Sequence, residues 1–147
     1  MKKGMMMTLG VAIWHVLLLS TSWAADNGTV TVNYNVYPNL HNMVVMKDAS
    51  CLGKLPWSDA KARVASLAYG QCGLSDGSTA GQWRLPTSDE LLYIAYNAKG
   101  SLSAVQSDYW SSTEMMGYST YATAVSFTYN QKAPDIKSRP NNIIAVR

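Results

Sequence analysis

The chain has 147 residues, of which 48% are hydrophobic and only 14% charged. That length favours one folded domain, and the composition excludes an intrinsically disordered chain. Twelve basic against nine acidic residues give a formal net charge of +3, which suits nucleic acid or acidic lipid only if the cations share one surface.

The first segment reads as an export leader. Lys2 and Lys3 precede an apolar run from Leu9 to Leu19, interrupted only by Gly10 and His15, and Ser22 and Ala24 place small residues at −3 and −1 of a cut before Ala25. This is the layout of a signal peptide over residues 1–24. The run is shorter than the roughly 20 residues of a membrane-spanning helix, although an uncleaved anchor is the competing reading. The residue immediately after the cut is Ala25 rather than cysteine, which argues against a lipid anchor. Cleavage leaves residues 25–147 as one domain of 123 residues, and takes away two lysines and no acid, so the charge falls from +3 to +1. The expectation is therefore an exported protein (extracellular, cell-surface or periplasmic) with no membrane attachment after cleavage and no nucleic-acid partner.

Thr29 to Val36 alternates polar and apolar residues without a fault, the pattern of a strand with one buried face. Asp26 to Val36 reads as an N-terminal strand extension, ended by Tyr37-Pro38-Asn39. Met43 to Met46 is a second short strand, with His41 and Asn42 in a turn before it. Pro56-Trp57-Ser58 opens a helix with Ser58 as N-cap and Gly70 as stop. Ala60, Val64, Leu67 and Ala68 form its inner face. Cys51 and Cys72 stand 21 positions apart. In an exported chain such a pair predicts a disulfide, and the neighbourhood lacks the further Cys or His that a metal would need.

Gly73 to Gln82 is loop. Thr87-Ser88-Asp89-Glu90 is a capping box that starts a second helix, with Leu91, Leu92, Ala95 and Ala98 as its apolar side and Lys99-Gly100 as its end. Tyr109 to Thr113, Tyr121 to Tyr129 and Asn142 to Arg147 read as strands separated by Gly117, Pro134 and Pro140. Alternation sends Trp110 to one face and Tyr109 with Ser111 to the other. Strands, two helices, then strands describe an α+β fold.

Several blocks carry a family resemblance: Gln71 to Ser78, Gly81-Gln82-Trp83-Arg84-Leu85-Pro86-Thr87 with Glu90-Leu91, Tyr109-Trp110-Ser111-Ser112-Thr113, and the closing Val146-Arg147. From about Met43 onward the chain resembles the Lcl C-terminal domain-like family. The resemblance implies an exported bacterial domain of C-type-lectin-like fold, with two helices packed on antiparallel strands. Its namesake is the tip of a collagen-like adhesin that binds sulfated polysaccharides. No Gly-X-Y stalk precedes the domain in this sequence. Neither Glu-Pro-Asn nor Trp-Asn-Asp, the calcium-site motifs of C-type lectins, occurs either, and no metal or cofactor is expected.

Trp83, Arg84, Pro86, Glu90 and Trp110 read as structural: tryptophans in the core, and Arg84 held by a carboxylate or by helix-end carbonyls. Ligand contact is assigned to the surface between Thr113 and Arg139. Tyr118, Tyr121 and Tyr129 offer aromatic faces there, and Lys132, Lys137 and Arg139 offer cations for sulfate or carboxylate. An ordinary solvated loop beside a tyrosine-rich strand is the plainer alternative. Asp76, Ser78 and Asp108 are a further polar-ligand or cation candidate, in residue types that turns also favour. Enzyme chemistry is not expected. His41 is the only histidine after the cut, and no Ser–His or Cys–His pair is suggested. The functional expectation is a binding module for a glycan or surface protein. The alternative is a structural subunit of an extracellular assembly, a homo-oligomer built through the N-terminal strand.

Overall fold

The computed structural model describes residues 26–36 and 39–147; the expected leader and the expected Tyr37-Pro38 strand end lie outside the described residues. The elements run β1 (Thr29–Val36), β2 (Asn39–Met46), β3 (Lys54–Leu55), α1 (Trp57–Ala65), α2 (Ser88–Asn97), β4 (Asp108–Glu114), β5 (Tyr121–Ser126), β6 (Gln131–Ile136) and β7 (Asn141–Asn142). β1 and β2 form an antiparallel hairpin. The other strands form a five-stranded sheet in the order β3-β7-β4-β5-β6. It is mixed, because β4 and β7 run parallel while the remaining pairs are antiparallel. The fold is α+β with two helices and one disulfide.

The sheet is covered on both faces. Trp110, Ala122 and Ala124 pack with Trp57, Ala60 and Val64 of α1, whereas Tyr109, Val125 and Phe127 pack with Leu91, Ile94 and Ala95 of α2. Successive strand residues point to opposite faces, so α1 and α2 lie on opposite sides of β4 and β5. Tyr109, Trp110 and Ser111 are consequently all buried. Trp57 and Trp110 also direct their indole N–H groups to backbone carbonyls, of Ser111 at 2.8 Å and Leu55 at 3.0 Å, so neither polar edge is buried unpaired.

The hairpin is joined to the body by the C-terminus. Val146 exchanges backbone hydrogen bonds with Arg84 at 2.9 Å in both directions, and Val44 does the same with Arg147. β1 is part of this packing, with Val32 and Tyr34 buried. Its start is fixed where Gly28, at φ +77°, lies so close to the 73–74 backbone that a Cβ would sit 2.6 Å from the Gly73 carbonyl oxygen. Only glycine fits there.

Several local expectations need correction. His41 and Asn42 lie within β2, opposite Tyr34 and Asn33, rather than in a turn; ladder pairing overrides their weak strand preference. Ser58 is inside α1, whose N-cap is Pro56, and the helix ends at Ser66 instead of continuing to Gly70. Pro before the first turn is already set for helix entry. The span from Tyr121 to Tyr129 divides: β5 stops at Ser126, and Tyr129 sits in the turn before β6. Pro134 lies inside β6, which is tolerable because β6 is an edge strand and needs no donor on its free side. The last strand is only Asn141–Asn142, and residues beyond it bridge individually to β2 and Arg84.

The capping box at α2 is formed as expected. Glu90 N–H donates to the Thr87 hydroxyl at 3.2 Å, and Thr87 N–H donates to Glu90 Oε2 at 2.8 Å. Thr87→Ala should lower the unfolding free energy by about 1 kcal/mol, read from urea denaturation. Wild-type stability in that variant would mean the cap contributes nothing.

Candidate functional site

The Trp83-Arg84 block forms two polar clusters. Arg84 Nη1 and Nη2 donate to Glu90 Oε2 and Oε1 at 2.7 and 2.8 Å, a two-pronged grip. His41 Nε2 lies 3.3 Å from Glu90 Oε1. Burial pushes the Glu90 carboxyl up, but the Arg84 guanidinium, the Thr87 N–H and His41 outweigh it and hold the pKa down to about 2. In the second cluster Trp83 Nε1–H donates to the Ser78 hydroxyl at 2.9 Å, and that hydroxyl donates to Asp76 Oδ1 at 2.7 Å. Arg147 closes the cluster, with Nη2 3.1 Å from Asp76 Oδ2 and its guanidinium 5.4 Å from the Trp83 ring centroid. The Asp76 side chain is 1% exposed. Burial opposes its ionisation, yet the Ser78 hydrogen bonds and the Arg147 charge leave the pKa lowered. Asp76 and Ser78 thus act inside the fold, not as an open cation site. Asp108 lies at the start of β4, its carbonyl accepting a hydrogen bond from Asn142. Among the described residues no group of three or more His, Cys, Asp or Glu side chains is placed to hold a metal ion.

The six assigned ligand residues fall at two ends of the β5–β6 pair, with Tyr118, Tyr121, Lys137 and Arg139 near one end and Tyr129 and Lys132 near the other. Each cation has its own carboxylate: Lys132 pairs with Asp89, Lys137 with Glu114 at 2.7 Å, and Arg139 with Asp135 at 2.8 Å. Together with Arg147–Asp76, these pairs account for all the basic residues of the C-terminal segment. A charge excess that looks like a patch along the sequence is distributed over separate ion pairs in space. Lys137 also sits 4.4 Å above the Trp57 ring, which Lys61 approaches at 4.3 Å. Tyr118 and Tyr121 meet edge to face at 6.5 Å. Tyr129 lies apart from them in the β5–β6 turn, 74% exposed.

A more coherent aromatic surface lies along α2. Tyr34, Asp89, Leu92, Tyr93, Tyr96 and Asn97 line an open groove of about 410 Å³. Tyr34 packs edge-on against Tyr93 at 5.1 Å and, tilted, against His41 at 5.0 Å. The hydroxyls of Tyr93 and Tyr96 donate to the carbonyls of Asn33 at 2.9 Å and Asn130 at 3.3 Å. Tyr96 remains 64% exposed. Tyr93 and Tyr96 escape a sequence reading that follows only the apolar side of α2, Leu91, Leu92, Ala95 and Ala98. The signal was present: Asp89, Tyr93, Tyr96 and Asn97 recur at i, i+4, i+7 and i+8, one helical face.

Residues 20–147 match the family model described as the Lcl C-terminal domain. No curated protein matches the chain.

Proposed function

The chain belongs to the Lcl C-terminal domain family, and on that premise we propose that it is an exported binding module, adhesin-like in use, which recognises a glycan or surface protein without catalysis. The observation that carries this reading is the set of tyrosines left in solvent beside a closed core: Tyr96, Tyr118 and Tyr129 are 60–74% exposed. Tyrosine supplies a flat apolar face, a hydroxyl and little rotamer entropy to lose on binding, which suits recognition surfaces. A C-type-lectin-like architecture belongs to the same proposal, supported by two helices flanking a mixed sheet and a C-terminus that closes on the N-terminal hairpin. Export is supported by the leader pattern and by the Cys51–Cys72 disulfide, a bond that persists in oxidising compartments. The paired state of Lys132, Lys137, Arg139 and Arg147 argues against a nucleic-acid partner.

A glycan array together with heparin chromatography at moderate salt tests the glycan form. Binding to a defined set of glycans is expected, and no retention on either would remove it. The second reading, a subunit of an extracellular assembly, is favoured by the position of β1 at the edge of its two-stranded sheet, where a further strand can pair. Light scattering over a range of concentrations tests it: a monomer throughout would exclude strand-mediated self-assembly.

A further inference from the structure

The groove along α2 has a chemical character distinct from the basic C-terminal segment. Its wall is aromatic, and its ring positions are fixed before any ligand arrives. Tyr93 is held by its hydroxyl on Asn33 and its edge contact with Tyr34, and Tyr96 by its hydroxyl on Asn130. Preorganised rings bind without the entropy cost of ordering them. Leu92 adds apolar surface between them.

The polar atoms in the groove are chiefly acceptors. Asp89 gives one carboxylate oxygen to Lys132 and retains the other. The Asn97 amide nitrogen donates to the Tyr93 carbonyl at 3.0 Å, which leaves its amide oxygen as the group to offer. Among the described residues the Tyr34 hydroxyl has no hydrogen-bond partner. Burial, then the charges of Asp89 and Glu90, raise its pKa, so it stays a protonated hydroxyl. The lining contains no lysine or arginine.

Sulfate or carboxylate would meet acceptor atoms here and no unpaired cation, an arrangement that repels an anion. A pyranose ring without charge fits instead. Its C–H face is apolar and lies flat on an aromatic ring, while its hydroxyls are donors for Asp89 and Asn97. The volume is within the range of small-ligand sites.

We propose that the groove between α2 and the β1–β2 hairpin binds uncharged pyranose rings of a glycan, with Tyr96 as the stacking face and Asp89 and Asn97 accepting hydrogen bonds from the sugar hydroxyls. This rests on the recognition reading above and narrows it to one site and one ligand class.

The test is isothermal titration of the purified protein with neutral oligosaccharides (cellohexaose, maltohexaose, mannohexaose and chitohexaose) and, separately, with a heparin hexasaccharide. At least one neutral probe should bind. Tyr96→Ala should weaken it about tenfold, the loss expected for one stacked ring. Tyr96→Trp should restore it, and Asp89→Asn should weaken it several-fold. Tyr69→Ala, an exposed tyrosine outside the groove, should leave it unchanged. Urea midpoints of the variants separate lost binding from lost folding. Neutral-sugar binding that Tyr96→Ala does not weaken, or binding to heparin alone, overturns the groove while the recognition reading stands. Absence of binding to every probe overturns the groove and removes the glycan form of that reading as well.

Discussion

Arg84→Ala is expected to lower the unfolding free energy at pH 7 by about 3 kcal/mol, the low end for breaking a buried ion pair. The low end applies because Arg84 is itself half exposed, at 48% of its side chain, while Glu90 is 6% exposed. Without Arg84, a buried carboxylate keeps only the Thr87 N–H and His41 as partners. The penalty should depend on pH. In the wild type the Glu90 pKa is about 2, below its ordinary 4.5. Its stabilising contribution is therefore complete above pH 4.5 and is lost as pH falls from there towards 2, amounting at most to about 3 kcal/mol. In Arg84→Ala the burial that opposes ionisation remains while its main counterweight is gone, so Glu90 takes up a proton more readily. The gap between wild-type and variant stabilities should be clearly smaller at pH 3 than at pH 7 and close only as pH approaches 2. Urea unfolding followed by tryptophan fluorescence at pH 7, 5 and 3 measures this. An equal loss at pH 7 and pH 3 would show that Arg84 contributes packing rather than charge. Arg84→Lys should fall between the two, since it keeps the charge and loses the two-pronged geometry.

Removing the disulfide should have an effect of similar size. Cys51 follows β2 and Cys72 lies in the loop after α1, so the bond closes 21 positions of chain that include the whole of α1. Loop-closure entropy over that length gives about 3 kcal/mol. Cys51→Ala/Cys72→Ala should unfold at a clearly lower urea concentration than the oxidised wild type. Wild type in reductant should follow the double variant, which separates the bond from any packing by the sulfur atoms. Coincident midpoints for oxidised and reduced protein would refute the entropic account.

How much was legible in the sequence varied with the range of the interaction. The capping box at Thr87 was readable because its partners are three residues apart and the geometry repeats in any helix. The alternating strand of β1 and the burial of Trp83 and Trp110 were readable for similar reasons. Short β3 and edge strand β6 were not: two residues carry no period, and Pro134 reads as a breaker until the strand is known to lie at an edge. The ion pairing of the expected ligand cations was not legible either. Lys132, Lys137 and Arg139 are neighbours in the chain, but Asp89 and Glu114, which pair with two of them, come from α2 and β4.

The sequence by itself determined the α+β class, the second helix and its cap, the Cys51–Cys72 pairing and the family, because each depends on local pattern or on residue identity in order. Tertiary structure alone decided where the charge and the aromatic surface lie. It placed α1 and α2 on opposite faces of one sheet, gave Lys132 and Lys137 carboxylates from distant parts of the chain, and brought Tyr34 of the hairpin against Tyr93 of α2. Coulombic pairing and aromatic packing act over a few ångströms of space and take no account of separation along the chain. They became readable only once the chain was folded.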